Sequence, residues 1–280
     1  MLGIGVTIPR LASRLRSGAL ADPFAGLMST LLSGATQLIA HPLEYGSMFQ
    51  DRAGTTPVTE PGQLVGHVLD AGGGDYHATA ISDAARMVFR DVGGIRWIDY
   101  NGINGAYVTP ALIGVSVDKA QLFAGVRKLS DASLGVIGSL ASAVSVTGSL
   151  TLDSRRYAAG DYTMTIRNAS GNSVQNFVTY NAPTTNVLSA LYDQSGANID
   201  DELSLRVDGV LSAKGGISLY NSGSSNFASA PVYLGAQGGT SAFFNGRSYA
   251  TLGPIFRLSA ANATTAQIEA AEAYYTARVI

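Results

Sequence analysis

Several segments between residues 95 and 258 alternate apolar and polar side chains with a period of two. In residues 162–167, Tyr162, Met164 and Ile166 alternate with two threonines and an arginine. Residues 203–207 repeat the pattern with two leucines and a valine, separated by a serine and an arginine. This periodicity is typical of antiparallel strands that bury one face and expose the other. The pattern therefore predicts an antiparallel sheet with a hydrophobic core on one side.

Other short apolar runs, bounded by glycine, asparagine, aspartate and serine, predict more strands. They cover residues 111–117, 121–128, 144–152, 174–180, 186–192, 231–235 and 248–258. After residue 207, Asp208-Gly209 predicts a tight hairpin, because both residues tolerate the positive φ of a type I′ turn. Many short strands without intervening helices favour a β-sandwich or jelly roll over an α/β fold.

The pattern of residues 1–43 predicts two short helices. Pro9 suits a first helical turn and Gly18 suits a C-terminal cap, while Asp22 and Pro23 offer an N-cap and a first position for the second helix. The second helix carries a broad apolar stripe. The stripe consists of Phe24, Leu27, Met28, Leu31, Leu32 and Ile39. Two interpretations are open: the stripe packs on the chain's own sandwich, or it is an assembly interface with another subunit.

A further helix is predicted at the C-terminus. Thr264 and Gln267 have the spacing of a capping box, in which each side chain bonds the backbone of the other residue. The apolar face expected against the sheet consists of Ile268, Ala271, Tyr275 and Val279. Glu269 and Glu272 are expected on the solvated face of this helix.

Residues 44–95 are rich in glycine, proline, threonine and aspartate and show little regular period. This composition predicts turns and short edge strands that wrap around a sandwich. The predicted domains are therefore a helical anchoring or oligomerisation segment, residues 1–43, and a β-sandwich domain, residues 44–280. The first part of that domain, residues 44–95, is expected to be irregular.

The charge of the chain narrows the range of partners. Only 14% of the residues are charged and the formal net charge is −2, which favours neither nucleic acid nor an anionic membrane surface. The chain has no cysteine, which excludes disulfides, thiolate catalysis and cysteine-ligated metals. Residues 23–43 are uncharged, but their scattered polar residues and glycines make a poor membrane span. Without a recognisable export signal, we expect synthesis in the bacterial cytoplasm.

Four segments carry a resemblance to a known group of proteins. They are MFQDRAGTTPV at 48–58 with the PGQLVGHVLD and HATA that follow at 61–70 and 77–80, RWIDYNGIN at 96–104, LFAGVRKLSD at 122–131 and the long stretch at 232–275 that begins VYLGAQGGTSAFFNGRSY. In their order, they resemble uncharacterised proteins of tailed bacteriophages and prophages. That resemblance implies a mainly β fold, a concanavalin A-like (laminin-G-like) antiparallel β-sandwich of the jelly-roll kind, and a place in the virion.

No catalytic constellation is evident. A sandwich glycanase presents two carboxylates across the scissile bond, commonly from alternating positions of one strand, and no predicted strand has them. The densest acidic run, predicted to be a solvated turn, is Asp200, Asp201 and Glu202. The three histidines, which precede the main strands, are His41, His67 and His77. Because G-x-S-x-G, HExxH and P-loop motifs are absent, we expect a protein that is not an enzyme.

Calcium is the one cofactor that the loops could hold, because carboxylate and amide oxygens suit a hard cation. One candidate cluster is Asp193, Asn198, Asp200 and Asp201. A second is Asp99, Asn101 and Asn104. Such residues also form turns by bonding their own backbone. We favour that interpretation and assign no metal ligand.

Carbohydrate recognition would use an exposed aromatic ring beside polar groups. Tyr220 and Phe227, in the loop YNSGSSNF at 220–227, are the candidate glycan contacts. The alternative, which we favour, is that Tyr220 ends a strand and packs its ring on the rim of the sandwich.

The leading hypothesis is a structural virion protein of a tailed bacteriophage, displayed on the particle surface as a capsid decoration, head fibre or tail-associated protein. It would join other virion proteins through residues 1–43 and form a homo-oligomer. The alternative is a receptor-binding adhesin that recognises a host-surface glycan. A third hypothesis, a glycan depolymerase, requires paired carboxylates in an exposed groove.

Overall fold

The computed structural model of the chain describes residues 22–156, 160–167, 173–195, 202–212 and 225–280. Helix α1 spans Pro23–Leu32, helix α2 spans Thr265–Thr276, and a short 3₁₀ helix spans Asp83–Ala85. The strands are β1 (Gln37–Ile39), β2 (Met48–Phe49), β3 (Leu64–Val65), β4 (His67–Val68), β5 (Ala78–Ala80), β6 (Met87–Val92), β7 (Ile95–Asn101), β8 (Tyr107–Ala111), β9 (Lys119–Lys128), β10 (Gly135–Leu140), β11 (Leu150–Arg155), β12 (Asp161–Arg167), β13 (Ser173–Thr179), β14 (Thr184–Asp193), β15 (Leu203–Val207), β16 (Val210–Leu211), β17 (Pro231–Leu234), β18 (Asn245–Tyr249) and β19 (Ile255–Ser259).

Within the described residues, the strands form two antiparallel sheets whose facing side chains share one hydrophobic core. The ten-stranded sheet has the order β16-β15-β14-β9-β18-β7-β6-β3, and β19 and β1 extend it beside the other half of β9. The nine-stranded sheet has the order β13-β12-β11-β10-β17-β8-β5-β4-β2. The predicted fold class is confirmed: the protein is mainly β, a lectin-like β-sandwich with one helix near each end.

Both helices cover the outer face of the ten-stranded sheet. Phe24 and Leu31 of α1 and Tyr275 of α2 form a second buried cluster with Phe123 of β9 and Ile255 of β19. This arrangement leaves the outer face of the nine-stranded sheet free of helices in the described part of the chain. Within the same residues, no helix is both long enough and apolar enough to cross a membrane.

Helix α1 begins as predicted but ends earlier. Asp22 is the N-cap and accepts a hydrogen bond from the Phe24 backbone N–H at 3.0 Å, and Pro23 is the first residue of the helix. The helix ends at Leu32, and residues 37–39 form β1, so the prediction of a helical segment reaching residue 43 is wrong. Strand β1 forms because it pairs with β19, where Ile39 lies opposite a phenylalanine. The first predicted helix, within residues 1–21, lies outside the described residues.

Two side chains from the far end of the sequence bind the carbonyl groups at the end of α1. Arg257 is 2% exposed, and it donates from Nε to Leu31 O at 3.1 Å and from Nη2 to Ser33 O at 3.0 Å. Gln267 donates from Nε2 to Thr30 O and to Ser33 O, both at 2.9 Å. The last carbonyls of a helix lack partners within the helix, so these bonds fix α1 on the sandwich.

The apolar stripe predicted as an assembly interface is buried within this chain, apart from one residue. The buried members, none more than 5% exposed, are Phe24, Leu27, Met28, Leu31 and Ile39. Leu32 is 45% exposed. The four helical members are covered because α1 lies on the outer face of the ten-stranded sheet and packs against α2, whereas Ile39 of β1 is buried in the main core. The prediction that these five buried residues form an assembly interface is therefore wrong. The alternative, that they pack on the chain's own sandwich, is correct.

Two local predictions are confirmed. Asp208 and Gly209 have φ values of 52° and 79° and join β15 to β16 as a tight turn. At the start of α2, the side chains of Thr264 and Gln267 form the complete capping box. The conformations of this turn and this helix cap are therefore determined by the residues that form them.

One expectation about α2 is wrong. Glu272 is only 8% exposed, because Arg206 of β15 approaches it with Nε 2.7 Å from Oε1 and Nη2 3.1 Å from Oε2. Glu269 is exposed as expected. The bidentate ion pair therefore ties the C-terminal helix to the ten-stranded sheet.

The strand predictions differ from the structure in several places. Of the predicted segment 144–152, residues 144–149 form turns and only the last three belong to β11. Strand β8 ends at Ala111, so no strand covers 112–117, and the predicted segment 248–258 is divided between β18 and β19. Strand β10 was not predicted, because all six of its residues are buried and its sequence GVIGSL shows no alternation. Residues 44–95 supply short strands to both sheets, with β2 and β3 at sheet edges, as the wrapping prediction implied.

Candidate functional site

The outer face of the nine-stranded sheet carries an open groove of about 520 Å³. The groove crosses β5, β8 and β17, which are neighbours in the sheet. The side chains that line it include Arg52, Thr79, Ile81, Val108, Pro110 and Tyr233. Adjacent strands lie about 4.8 Å apart, so the three strands span about 10 Å. That width suits a small ring-shaped ligand or one unit of a longer chain.

Strand register places the groove side chains on one face. Thr79 lies opposite Val108, and Val108 lies opposite Tyr233. All three are half-buried, whereas their neighbours Ala80 and Leu234 are fully buried in the core. Successive side chains of a strand point to opposite faces. The same strands therefore supply apolar residues to the core and a mixed surface to the groove.

Arg52 enters the groove from the turn between β2 and β3. Gly54 has a φ of +72° and donates from its backbone N–H to Asp51 O at 3.4 Å, a conformation that favours glycine. Arg52 donates from Nε to Ala80 O at 2.7 Å. This bond holds the exposed guanidinium beside β5, at one side of the groove.

The loop after β17 packs closely against the rim of the groove. Gly238 has a φ of +58°, and a Cβ at this position would lie 2.5 Å from Ser142 O. A Cβ on Gly239 would lie 2.9 Å from Cγ2 of Ile81, which lines the groove. The loop keeps this close approach only because neither residue has a side chain.

A histidine cluster, His41, His67 and His77, lies beside β5. His67 Nδ1 is hydrogen-bonded to Thr79 Oγ1 at 2.9 Å, and the rings of His67 and His77 meet edge to face with centroids 5.5 Å apart. His41 is 1% exposed and donates from Nε2 to Tyr76 O at 2.7 Å. Burial lowers the pKa of His41 and of His67 below the ordinary value of 6.5. The bond from His67 to Thr79 connects this cluster to the groove.

The row of outward side chains that contains Tyr233 continues across β10, β11 and β12 to β13. Its members on β10, β11 and β12 are buried. Register places Ser139, Thr151, Thr165 and Gln175 in line with Tyr233. Ser139, Thr151 and Thr165 are no more than 2% exposed. Gln175 at the far end of the row is half-buried, so the row is accessible at its two ends, and the end at Tyr233 lines the groove.

The fold also brings together two carboxylates that the sequence keeps on separate strands. Asp153 of β11 and Asp161 of β12 share the outer face, and both are 0% exposed. Arg156 donates to both, from Nε to Asp153 Oδ2 at 2.5 Å and from its backbone N–H to Asp161 Oδ1 at 2.9 Å. Burial raises the pKa of Asp153, and the nearby Arg156 opposes that shift. Because these groups are enclosed, they offer no open pair for glycan hydrolysis.

The predicted glycan contacts do not form a site. Tyr220 lies outside the described residues. Phe227 is 2% exposed and belongs to the core, so its prediction as a glycan contact is wrong. The Phe227 backbone N–H donates to Val117 O at 2.9 Å, and the Ala228 N–H donates to Gly148 O at 3.0 Å. These bonds hold the segment against the sandwich with the aromatic ring inside.

Sequence reasoning missed Tyr233 and Arg52. The alternation in PVYL, where Val232 and Leu234 are buried and Tyr233 is not, was a usable signal for an outward aromatic residue. Arg52 lies in a turn and has no comparable signal, because its contact with the groove depends on the pairing of distant strands.

In the second calcium candidate, the oxygen atoms are bound to other protein groups. Asp99 is paired with Arg90 at 2.8 Å and with Arg247 at 3.2 Å. Asn101 donates from Nδ2 to Asn104 Oδ1 at 2.7 Å, and its own Oδ1 accepts from the Asn104 backbone N–H. These residues act as ion-pair partners and turn-formers.

The first calcium candidate is described only at Asp193, which is paired with Lys119 Nζ at 3.2 Å. The other members, Asn198, Asp200 and Asp201, lie outside the described residues. Among the residues that the structure describes, no three His, Cys, Asp or Glu side chains are arranged to hold a metal ion.

No protein-family model and no curated protein matches the chain. One similar solved structure is of botulinum neurotoxin type C, whose cell entry depends on interaction with two ganglioside molecules. It aligns with a TM-score of 0.54 and 6% identity, and the alignment covers 89% of this chain and 53% of that chain. The binding domain of botulinum neurotoxin serotype D/C aligns with a TM-score of 0.51 and 7% identity over 88% of this chain and 53% of that one.

A third similar structure is the binding domain of botulinum neurotoxin DC in complex with rat synaptotagmin II, with a TM-score of 0.50 and 7% identity over 75% of this chain and 49% of that chain. The chain therefore spans about half the length of each of these three solved structures. At this level of identity, the comparisons establish one property of the protein, its lectin-like β-sandwich fold.

Proposed function

We propose that this chain is a glycan-binding adhesin that recognises a host-surface carbohydrate in the groove. The observation that carries the proposal is the groove itself, where an aromatic ring, a hydroxyl and a guanidinium converge on an open face. Ligand sites combine apolar contact area with a few placed polar groups. This groove has both.

The three groups serve different parts of a sugar. The ring of Tyr233 offers an apolar surface for the C–H face of a pyranose, and a phenol that bonds water or a hydroxyl. Thr79 offers the bonding capacity of its hydroxyl that the bond to His67 Nδ1 leaves unused, and Arg52 offers several N–H donors. Thr79 and Tyr233 project from paired strands, so they are positioned before the ligand arrives, which lowers the entropic cost of binding.

The similar structures supply context for this proposal. One belongs to a toxin whose cell entry depends on gangliosides, and two others are binding domains of botulinum neurotoxins, one of them in complex with synaptotagmin II. A sandwich of this kind is therefore found in binding domains of those proteins. A shared fold does not fix function, so the proposal rests on the groove.

We infer recognition without catalysis. Among the described residues that line the groove, Arg52 is the charged one and none is a carboxylate. Glycoside hydrolysis requires an acid and a second carboxylate across the scissile bond. The composition of the groove therefore supports a lectin and not a depolymerase.

The setting that we propose is the surface of a tailed-bacteriophage particle, alongside other virion proteins and as a homo-oligomer. The support is the resemblance of segments 48–58 and 232–275 to phage proteins. These two segments supply Arg52, Tyr233 and Gly238 to the groove. Mass spectrometry and antibody labelling of purified particles test this setting, and absence of the protein from the particles contradicts it.

The groove is tested by screening the full chain on a glycan array beside two variants. Tyr233→Ala removes the aromatic surface of the groove. We expect it to lower the affinity for the glycans that the parent binds by about tenfold or more. Tyr45→Ala removes a 41% exposed tyrosine elsewhere, and we expect it to bind as the parent does. Thermal melts show that both variants fold. Equal binding by Tyr233→Ala and the parent contradicts the proposed site.

A further inference from the structure

We propose that the groove selects glycans that carry a carboxylate, with the guanidinium of Arg52 as the group that binds it. This inference rests on the proposed function and names the chemical class of its ligand. It follows from the placement of Arg52, from the charge around it and from the rest of the groove lining.

The placement of Arg52 leaves most of its donors available. A guanidinium has five N–H groups, and in Arg52 the Nε–H is used by Ala80 O at 2.7 Å. Among the described residues, Nη1 and Nη2 have no protein acceptor. The bond at Nε fixes the plane of the group, so the two terminal nitrogens form a prepositioned fork. Such a fork matches the two oxygens of a carboxylate.

The charge of Arg52 is not neutralised by its neighbour in sequence. The Asp51 carboxylate accepts hydrogen bonds from the Thr55 backbone N–H at 3.1 Å, from Thr55 Oγ1 at 3.2 Å and from the Thr56 backbone N–H. These bonds, first among them that of the Thr55 backbone, lower the pKa of Asp51 and turn its carboxylate into its own loop. Within the described residues, no carboxylate lies within 4.0 Å of the Arg52 guanidinium.

The rest of the lining does not oppose an anion. The described groove residues contain no acidic side chain, and Thr79 adds a hydroxyl beside Arg52. Tyr233 lies two strands away, about 10 Å across the sheet. A glycan that crosses the groove, with one ring over Tyr233 and an acidic sugar toward β5, brings its carboxylate to the guanidinium, because two linked rings span about 10 Å. An uncharged sugar in the same position leaves the fork solvated and gains less from it.

The test uses pairs of glycans that differ by one carboxylate. Suitable immobilised pairs are terminal galacturonic acid and galactose, terminal glucuronic acid and glucose, and sialylated and desialylated lactose. For the pair that the full chain binds, we expect the acidic member to bind about tenfold tighter at low salt. We expect this ratio to fall in Arg52→Gln, and to be only partly retained in Arg52→Lys, because lysine has no planar fork.

The control variant is Arg90→Gln, which removes the same charge from an exposed arginine on the other sheet. We expect it to keep the tenfold ratio, which separates a contact in the groove from a general effect of net charge. A ratio unchanged in Arg52→Gln overturns the inference. Equal binding of sulfated and carboxylated sugars overturns the carboxylate assignment.

The outcomes also separate this inference from the proposed function. If neutral and acidic glycans bind equally and Tyr233→Ala abolishes both, the groove is a glycan site and the carboxylate inference fails alone. If no array glycan binds the full chain, the proposed function fails, and the inference fails with it.

Discussion

Arg257 donates from Nε to the carbonyl oxygen of Leu31 at 3.1 Å, joining residues that are 226 positions apart in sequence. The arginine lies on β19, and Leu31 is the penultimate residue of α1. Further bonds run from Nη1 to Gln121 Oε1 and Ser259 Oγ, both at 2.7 Å, and from Nη2 to Ser33 O at 3.0 Å. A buried cation thus holds the N-terminal helix on the sheet.

Replacing Arg257 by methionine tests this anchor. The variant keeps apolar bulk but leaves several buried acceptors without a donor, each at a cost of about 1–3 kcal/mol. We expect the free energy of unfolding to fall by at least about 2 kcal/mol in urea denaturation. Arg90→Met, at an arginine whose side chain is 46% exposed, is the control and should change stability by less than about 0.5 kcal/mol. Equal stability of the two variants contradicts the anchor.

Adjacent leucines of α1 provide a second prediction. Leu31 is 0% exposed in the cluster beneath the helices, and Leu32 is 45% exposed. We expect Leu31→Ala to lower the free energy of unfolding by about 2–5 kcal/mol, because it leaves a cavity. Leu32→Ala should change it by about 0.5 kcal/mol or less. Differential scanning calorimetry measures both. If the two variants melt together, α1 is not part of the core.

The ion pair between Arg206 and Glu272 provides a third prediction. Glu272→Gln removes the charge but not the shape of a side chain that is largely buried. We expect a loss of about 1 kcal/mol in the free energy of unfolding, decreasing in high salt. Glu269→Gln is the matched control on the exposed face of α2 and should have no measurable effect. A larger loss in the control would show that helix charge, and not the ion pair, is responsible.

The buried His41 predicts a pH dependence of stability. Burial lowers the pKa of His41 in the folded state, with Asp70 partly opposing the shift. The unfolded chain therefore binds a proton at higher pH than the folded chain does. Stability is full above the unfolded value of 6.5 and falls as the pH drops through the folded pKa, by up to about 1.4 kcal/mol per pH unit for this proton.

Thermal melts between pH 7.5 and 5.5 measure this dependence. We expect the melting temperature to fall with acidification, and to fall less in His41→Gln, which keeps a donor for Tyr76 O but does not titrate in this range. His77 and His67, with Asp70 and Asp51, are the other titratable groups around this cluster. A parent protein with constant stability over this range contradicts the prediction.

The elements that the sequence predicted are those specified by neighbouring residues. The hairpin at Asp208 and Gly209 depends on backbone conformations that few residues adopt. The capping box of Thr264 and Gln267 depends on two side chains three residues apart. The alternation in β12 and β15 reflects side chains that point to opposite faces of a strand, and in β15 one face is buried and the other is half-buried. In β12 the outward Thr163 and Thr165 are no more than 2% exposed, so the expectation of an exposed face is wrong for that strand. Because these signals depend on neighbouring residues, the elements can be predicted without knowledge of the fold.

The groove could not be predicted from local sequence signals, because its residues come from distant segments of the chain. Arg52 meets β5 only through the bond to Ala80, and Tyr233 joins Val108 and Thr79 only through strand pairing. Phe227 shows the converse error: its aromatic loop suggested an exposed platform, and the backbone bond to Val117 placed the ring in the core.

The sequence by itself determined that this protein is a mainly β sandwich with a capped C-terminal helix, because turn chemistry and the period of two act over a few residues. Only the tertiary structure decided which apolar stripe is core and which outward face is open. Leu31 and Leu32 are equally apolar, and one is buried because α1 lies across the outer face of the ten-stranded sheet. Burial depends on what covers a residue, and that is a property of contacts between distant parts of the chain.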